Sequence, residues 1–315
     1  MPLTWSSQRD TRGILQVVLE SDSLRLTVLP ELGGRLWSII ERSRDEEMLW
    51  HHPSLQPHAV APGAGYDDAF AGGWDELFPT DRAVEVHGVT FPDHGEWWSQ
   101  PWEWEVSERE DALQLTLAGG GFATQHSATR VITLPRAGST FTWQTRITNT
   151  GEVPIPYIWR HHPALPVRPG SRLELPPARV EAIAEDAGAL SAAPFTWPQA
   201  VLDDGTRRDL SVLPSAAAGE VWMLYATDLP EGFVRLTWPG EEPGIAHGIG
   251  FLFDPGQVTA VTTFATFGGW RGLQTILPEA GVGYPADLSE ALAAGTSGVL
   301  EAGETVEYEV RIEIW

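Results

Sequence analysis

The chain has 315 residues, enough for one large domain or two ordinary ones with a sizeable core. It contains no Cys, and 20 basic against 43 acidic residues give a net charge of −23 at pH 7. The absence of Cys excludes thiol nucleophiles and thiolate zinc sites. All the basic residues are Arg, so Schiff-base lysines and phosphate-binding loops that end in Gly-Lys-Ser are excluded too. Because the charge repels polyanions and anionic lipid surfaces, we expect neither a nucleic-acid partner nor a membrane partner.

The N-terminal region has no basic start followed by an apolar stretch, and no later segment approaches eighteen uncharged apolar residues. These features predict a soluble, cytoplasmic protein. The 15 Trp residues are unusual. Most of them are expected in the core, and two or three could line a cleft that binds the apolar faces of sugars.

Apolar and polar residues alternate from one end of the chain to the other, which is the period of half-buried strands. The chain has 32 Gly and 25 Pro, and the segments between these runs are rich in both, which predicts turns that join short strands. The clearest alternating runs begin at Leu24, Trp102, Leu113, Phe141 and Val306. The pattern predicts an all-β fold and a single domain over residues 1–315, with irregular structure or short edge strands over residues 179–209.

One short helix is predicted near the C-terminus, from about Pro285 to Ala294, where Pro and Asp open it and Gly295 ends it. No regular alternation of strands with helices occurs, which disfavours a doubly wound sheet or a TIM barrel. Asn149-Thr150-Gly151 lies between two strand patterns and predicts a hairpin turn.

Two loops of the predicted sheet structure carry polar groups that could bind a ligand. Residues 71–79 combine glycines, aromatic residues and the carboxylates of Asp75 and Glu76, which can hydrogen-bond hydroxyls. Residues 93–98 place His94 on a turn beside carboxylates and two tryptophans. Either loop could equally be structural when considered alone.

A strand that ends at Pro163 carries His161 and His162 next to each other. Neighbouring side chains of a strand point to opposite faces, so one histidine at most can enter a given cleft, and a shared metal is disfavoured. Further on, Glu279 follows an apolar strand pattern and a proline. A carboxylate held among apolar residues can have a raised pKa and act as a general base, although a solvated loop carboxylate fits the same pattern.

These segments, in this order, resemble the aldose 1-epimerase or galactose mutarotase-like family over most of the chain. The resemblance includes Gly72-Gly73 through Phe78-Pro79, Asp93-His94-Gly95, the strand that ends in His162-Pro163, and the segment from Trp270 to Glu279. The tail from Glu279 through Tyr284-Pro285 to Glu304 is its most specific part. The resemblance implies a β-supersandwich that interconverts α and β anomers of a hexose or related aldose without a metal or cofactor.

In the mechanism that the resemblance implies, a glutamate removes the anomeric proton and a histidine protonates the ring oxygen, so that the ring opens. Glu279 is then the base, His162 the acid, and His94 a second imidazole that binds hydroxyls and stabilises charge. Further candidates for sugar contacts are Trp74, Asp75, Arg82 and Arg271. The protein is expected to be a monomer or homodimer.

Two alternatives remain open from the sequence. The protein could be a non-catalytic carbohydrate-binding or regulatory protein on the same fold. It could also act on a hexose phosphate, which requires at least two arginines in the cleft, and Arg82, Arg160 and Arg271 could supply them.

Overall fold

The computed structural model of the protein describes residues 3–183, 190–191, 193–240 and 246–315. The first strands are β1 (Thr4–Arg9), β2 (Leu15–Glu20), β3 (Leu24–Leu29), β4 (Arg35–Glu41), β5 (Glu46–Glu47), β6 (Trp74–Leu77), β7 (Val84–Val86), β8 (Val89–Phe91), β9 (Glu103–Glu108), β10 (Ala112–Gly120), β11 (His126–Pro135), β12 (Thr140–Asn149), β13 (Ile155–Tyr157) and β14 (Trp159–Pro163).

The second half of the chain continues in the same way. Its strands are β15 (Leu165–Pro166), β16 (Arg172–Glu174), β17 (Arg179–Ala182), β18 (Phe195–Thr196), β19 (Gln199–Val201), β20 (Arg207–Asp209), β21 (Glu220–Thr227), β22 (Phe233–Pro239), β23 (Ala246–Phe253), β24 (Ala260–Phe267), β25 (Gln274–Val282), β26 (Gly298–Leu300) and β27 (Thr305–Ile314). The helices are α1 (Tyr66–Ala69), α2 (Leu288–Ala294) and a 3-10 turn over Ala216–Ala218.

Two large antiparallel sheets contain most of these strands. The 13-stranded sheet has the order β1-β2-β3-β4-β6-β14-β25-β24-β21-β17-β18, with β5 paired to β4 and β15 to β25. The 8-stranded sheet has the order β16-β22-β23-β27-β12-β11-β10-β9. Three two-stranded pairs, β13 with β26, β19 with β20, and β7 with β8, complete the architecture. The predicted all-β sandwich fold class is therefore confirmed.

The main core lies between the two large sheets, because alternate residues of facing strands point inward. Trp74 of β6 stacks on Trp143 of β12 with ring centroids 5.5 Å apart, and it meets Phe251 of β23 edge-on at 4.8 Å. All three side chains are buried. Large aromatic rings thus bridge the sheets at their centre, which accounts for part of the high tryptophan content.

A charged pair is buried within this apolar core. Glu76 of β6 forms an ion pair with Arg130 of β11, and both side chains are inaccessible to solvent. The Glu76 carboxylate also accepts hydrogen bonds from Trp143 Nε1 at 3.2 Å, Trp159 Nε1 at 3.0 Å and the Thr145 hydroxyl at 2.6 Å. A buried charge is tolerated when it is paired and hydrogen-bonded. Because Glu76 lies in the 13-stranded sheet and Arg130 in the 8-stranded sheet, this network joins the two sheets in one register.

The opposite face of the 13-stranded sheet is buried too, in its central strands. A second cluster covers it, with Tyr66 and Phe70 from the α1 region, Trp98 from a long loop, and Leu277 from β25. Strands β6 and β14 are consequently buried at every position. The sheet is thus exposed at its β1 edge and buried on both faces at its centre. A cavity can form where the second cluster covers the central strands.

The helix near the C-terminus is confirmed as α2. Its N-cap residue Asp287 accepts backbone hydrogen bonds from Ser289 and Glu290, and Gly295 ends it in the left-handed conformation with φ of 70°. Residues 285–287, which the sequence pattern included, precede the helix. Among the described residues, no helix is long and apolar enough to cross a membrane.

The predicted hairpin at Asn149 is wrong. The turn itself forms, because Asn149 Oδ1 accepts a hydrogen bond from the Gly151 amide at 2.9 Å. The flanking strands do not pair, however, since β12 pairs with β11 and β27 while β13 pairs with β26. Over residues 179–209, the described part forms short strands, with β17 and β18 at the sheet edge as predicted. Residues 184–189 and 192 lie outside the described residues.

Replacing Glu76 by Gln leaves Arg130 buried without its counter-charge, and we expect a loss of about 3–5 kcal/mol in the free energy of unfolding. Urea unfolding followed by tryptophan fluorescence measures this loss. Glu307→Gln is the control, because its ion pair with Arg146 is exposed at both ends and such pairs contribute about 0–1 kcal/mol. Equal effects of the two variants would contradict the structural importance of the buried pair.

Candidate active site

A cavity of about 430 Å³ opens on the covered face of the 13-stranded sheet. Its floor comes from β14, β21, β24 and β25, and its walls come from the α1 region and from the loops after β6, β8 and β24. The lining residues are Tyr66, Asp67, Phe70, Asp81, Arg82, Asp93, His94, His162, Val221, Met223, Phe264, Gly269, Trp270, Leu277 and Glu279. Apolar rings and ionisable groups thus converge on a space large enough for a small molecule.

Strand alternation delivers His162 and Glu279 to the cavity floor. On β14, His161 points into the main core, where its Nδ1 accepts a hydrogen bond from Trp74 Nε1 at 3.1 Å, and His162 points to the opposite face. The two histidines therefore separate as the alternation predicts. Strand β25 pairs directly with β14 and presents Leu277 and Glu279 on the cavity face, while Ile276 and Ala280 belong to the main core.

The Glu279 carboxylate lies between His162 and Arg160. Its Oε1 is 3.8 Å from His162 Nε2, and its Oε2 is 3.6 Å from an Arg160 guanidinium nitrogen. Arg160 is held in place by an ion pair with Asp81 and by donation to the Gly283 carbonyl at 2.9 Å. The Arg160 guanidinium thus orients the Glu279 carboxylate through Oε2, and Oε1 is directed toward the His162 imidazole.

Burial controls the protonation of these two groups. It raises the pKa of Glu279 well above its usual value, with the negative charge of Asp81 adding to the effect and Arg160 opposing it. Burial also lowers the pKa of His162 well below 6.5, and the neighbouring His94, Arg160 and Arg35 add to that effect. Burial therefore shifts both groups toward their neutral forms, a protonated carboxyl and a neutral imidazole.

His94 sits on the cavity wall in a turn with φ of 57°. Gly95 follows it with φ of 75°, and a Cβ atom at Gly95 would lie 2.2 Å from the Phe78 carbonyl oxygen, so glycine is required there. The His94 ring stacks on Tyr66 with centroids 4.0 Å apart, and its Nδ1 is 2.8 Å from Asp93. Burial alone would lower the pKa of His94, but the hydrogen bond that its ring donates to Asp93 and the charge of Asp81 outweigh burial and raise it.

Other residues singled out from the sequence have different positions. Trp74 does not reach the cavity and packs in the main core against Trp143 and His161, because it precedes Asp75 on the same strand and faces the other way. The expected sugar contact from Trp74 is therefore corrected. Asp75 lies beneath the cavity lining and is bonded to Arg35 and Tyr66.

The two remaining arginine candidates lie near the cavity mouth. Arg82 is among the lining residues. Arg271 is not, and it binds the Asp67 carbonyl at 2.8 Å and the Asp68 carboxylate at 3.0 Å while its guanidinium lies over the neighbouring Trp270 ring. Arg271 thus supports the rim of the cavity through Trp270, which itself faces the interior.

Sequence reasoning missed Tyr66, Asp81 and Asp93 as site residues. Tyr66 belongs to a helix of only four residues, and Asp81 and Asp93 lie in loops that approach each other through backbone contacts such as the bond from the His94 amide to the Asp81 carbonyl at 2.9 Å. The density of acidic residues around them was the available signal. In the described part of the chain, no group of three His, Asp or Glu side chains is arranged to hold a metal ion.

Comparison with solved structures identifies the architecture. A candidate aldose 1-epimerase from Klebsiella pneumoniae superimposes with a TM-score of 0.75 at 14% identity, covering 100% of this chain and 84% of that one. A galactose mutarotase-like protein from Clostridium acetobutylicum gives 0.70 at 11% identity and coverage of 99% and 98%. A candidate aldose 1-epimerase from Escherichia coli K12 gives 0.65 at 16% identity and coverage of 100% and 99%.

The chain has the galactose mutarotase-like fold. No protein-family model and no curated protein matches the sequence significantly. Superposition over essentially the whole chain thus confirms the mutarotase-like fold that the sequence motifs resemble. Sequence identities of 11–16% show the fold alone and assign no activity.

Replacing Asp93 by Asn removes the negative charge beside His94, and we expect the pKa of His94 to fall toward or below 6.5. Histidine NMR titration measures this directly, and His126, buried with a pKa of about 4, should not change.

The sign of the stability effect follows from the direction of that shift. Since the pKa of folded His94 is raised, its pair with Asp93 contributes stability fully below pH 6.5, and this contribution is lost as the pH rises through the folded value. Asp93→Asn should therefore destabilise the protein more below pH 6.5 than well above it. A pH-independent loss in urea unfolding would contradict the assignment.

Proposed function

We propose that the protein interconverts the α and β anomers of a free aldose, with Glu279 as general base and His162 as general acid. Glu279 removes the proton of the anomeric hydroxyl while His162 Nε2 donates a proton to the ring oxygen. The bond between the anomeric carbon and the ring oxygen breaks, a carbonyl forms, and rotation followed by closure on the other face gives the second anomer. No cofactor takes part in these steps.

The observation that carries this proposal is the distance of 3.8 Å between Glu279 Oε1 and His162 Nε2 at the floor of the cavity. The two oxygens of a hemiacetal are bonded to one carbon, so they lie closer together than that distance. A carboxylate oxygen and an imidazole nitrogen with this spacing can each reach one oxygen within hydrogen-bond distance, about 2.6–3.2 Å. The pair is therefore suited to simultaneous proton transfer at both oxygens.

The shared proton meets the requirement for both an acid and a base. Burial disfavours the charged form of each group and therefore shifts the proton of the pair toward Glu279. The reactive arrangement, a carboxylate with an imidazolium, contains the same single proton. A polar substrate bound beside the pair favours this arrangement, because its hydroxyls hydrogen-bond to the two charged groups. No net charge enters or leaves the cavity in the exchange.

The lining favours an uncharged polyol. Four lining residues are carboxylic acids, Asp67, Asp81, Asp93 and Glu279, against Arg82 as the lining arginine. Carboxylates accept hydrogen bonds from sugar hydroxyls, and the Phe264 and Trp270 rings offer flat surfaces for the C–H faces of the sugar. Of the arginines that a phosphate substrate would need, Arg160 is bound to Asp81 and Arg271 to Asp68. The observations therefore support a neutral aldose over a sugar phosphate.

The proposal is tested with Glu279→Gln, which keeps the shape of the side chain but removes the base. We expect the rate of anomer interconversion to fall about 10²- to 10⁴-fold, the usual contribution of general acid–base catalysis. Polarimetry or NMR on freshly dissolved aldoses measures the rate, and calorimetry measures sugar binding by the same proteins. Glu231→Gln, at an exposed loop, is the matched control and should retain the wild-type rate.

The outcomes separate catalysis from binding. A variant that binds sugar but has lost its rate supports the enzyme and its base. A wild-type protein that binds aldoses without accelerating their interconversion would instead establish a carbohydrate-binding protein on this fold.

The pH dependence follows from the shared proton. We expect a bell-shaped profile of kcat/KM, since activity is lost when both groups are protonated and when neither is. The acid limb should lie below the usual histidine value of 6.5, and the alkaline limb should lie well above the usual carboxyl value of 4.5, because burial lowers one pKa and raises the other. A solvated pair would titrate in the opposite order, so an alkaline limb that coincides with the titration of His162 followed by NMR would contradict the prediction.

A further inference from the structure

Tyr66 connects the cavity to a buried charged pair. Its hydroxyl lies 2.9 Å from Asp75 Oδ2 and 3.1 Å from His162 Nδ1, so one oxygen atom contacts both groups. Asp75 is in turn held by Arg35, through the guanidinium Nε at 2.9 Å and a terminal nitrogen at 2.7 Å. The four side chains form a continuous row, from Arg35 through Asp75 and Tyr66 to His162.

The direction of each hydrogen bond in this row is determined by chemistry. Arg35 can only donate, and the Asp75 carboxylate that is ion-paired with it is an acceptor with no proton to offer Tyr66. The single hydroxyl proton of Tyr66 must therefore go to Asp75. The remaining contact, between the Tyr66 oxygen and His162 Nδ1, then requires that the nitrogen carry the proton.

We propose that Tyr66 is a positioning residue that keeps the proton of His162 on Nδ1, so that Nε2 is always the nitrogen that exchanges a proton with the bound molecule. This inference deepens the proposed function, because it assigns which atom of the acid acts. The tautomer itself is a property of the protein without substrate and does not depend on the reaction.

The surroundings of Tyr66 hold it in this role. Its ring stacks on His94, and Trp98 contacts it edge-on with centroids 5.0 Å apart. Its backbone amide donates to Asp93 at 2.8 Å, which ties α1 to the loop that carries His94. Burial and the charge of Asp75 raise the pKa of Tyr66 well above 10, so the hydroxyl retains its proton. A ring fixed on two sides leaves the hydroxyl little freedom to leave its two partners.

The arrangement fits both protonation states that the reaction needs. In neutral His162, Nδ1–H donates to Tyr66 and Nε2 presents a lone pair toward Glu279. In the imidazolium, Nδ1–H makes the same bond and Nε2–H becomes the acid. The groups that face His162 are Tyr66, His94, Glu279, Arg160 and Arg35, and of these Tyr66 is the one hydrogen-bonded to Nδ1. The ring does not need to flip between the two states.

The first test is ¹⁵N NMR of the histidine side chains in the protein without sugar, with the His162 signal identified by its loss in His162→Gln. We expect the chemical shifts of neutral His162 to show a protonated Nδ1 and an unprotonated Nε2. In Tyr66→Phe, which keeps the stacked ring and removes only the hydroxyl, the shifts should move toward a mixture of tautomers. A wild-type signal with the proton on Nε2, or an unchanged Nδ1–H signal in Tyr66→Phe, would overturn the proposal.

The second test is kinetic and uses the same variant. We expect kcat for anomer interconversion to fall about 10- to 100-fold, as is typical when the outer partner of a functional histidine is removed, while KM stays nearly constant. Tyr308→Phe is the matched control, because it deletes another buried tyrosine hydroxyl, the one that contacts Tyr157, away from the cavity. Equal losses in both variants would indicate a merely structural role and would overturn the proposal.

The two tests fail in different ways. If the protein does not accelerate interconversion of any aldose, the proposed function fails, but the NMR comparison still decides the role of Tyr66. If the wild-type protein is active and the tautomer does not respond to Tyr66→Phe, the proposed function stands and the positioning role is refuted.

Discussion

Consecutive side chains of a β-strand point to opposite faces, and in β6, β14 and much of β25 both faces are buried. Every residue of these strands must therefore suit one of two interiors. On β14, His161 enters the apolar core between the sheets while His162 enters the cavity. On β6, Glu76 and Asp75 divide in the same way. The chemistry of the site depends on this separation. It places the hydrogen-bond networks of Asp75 and Glu76 on opposite faces of the sheet, although the two residues are adjacent in the sequence.

Each network is stable because its buried charge is paired. Glu76 is neutralised by Arg130 and Asp75 by Arg35, and each carboxylate also accepts hydrogen bonds from neighbouring aromatic residues. The functional pair is different, since Arg160 is shared between Asp81 and Glu279. Burial and the negative charge of Asp81 outweigh the shared guanidinium, so the pKa of Glu279 stays raised. Full pairing makes a rigid scaffold, whereas incomplete pairing leaves a proton that can move.

Much of the candidate site could be predicted from the sequence. His94, His162 and Glu279 were identified from motifs in three segments, and the structure brings all three to one cavity. Trp74 was expected there because it lies in a glycine-rich segment, yet its alternation with Asp75 directs it to the core. Tyr66 was missed, since its helix is one turn long and its partners, Asp75 and His162, are 9 and 96 residues away.

The strand periodicity, the capped helix α2 and the residue types available for acid–base chemistry can be read from the sequence alone, because periodicity, caps and unperturbed pKa values are local properties. Only the tertiary structure decided which strands pair, as the turn at Asn149 shows by joining strands that do not pair with each other. It also decided the directions in which the pKa values of Glu279 and His162 shift, and the contact of Tyr66 with both His162 and Asp75. Pairing, burial and hydrogen-bond networks depend on groups far apart in the chain, so no local pattern contains them.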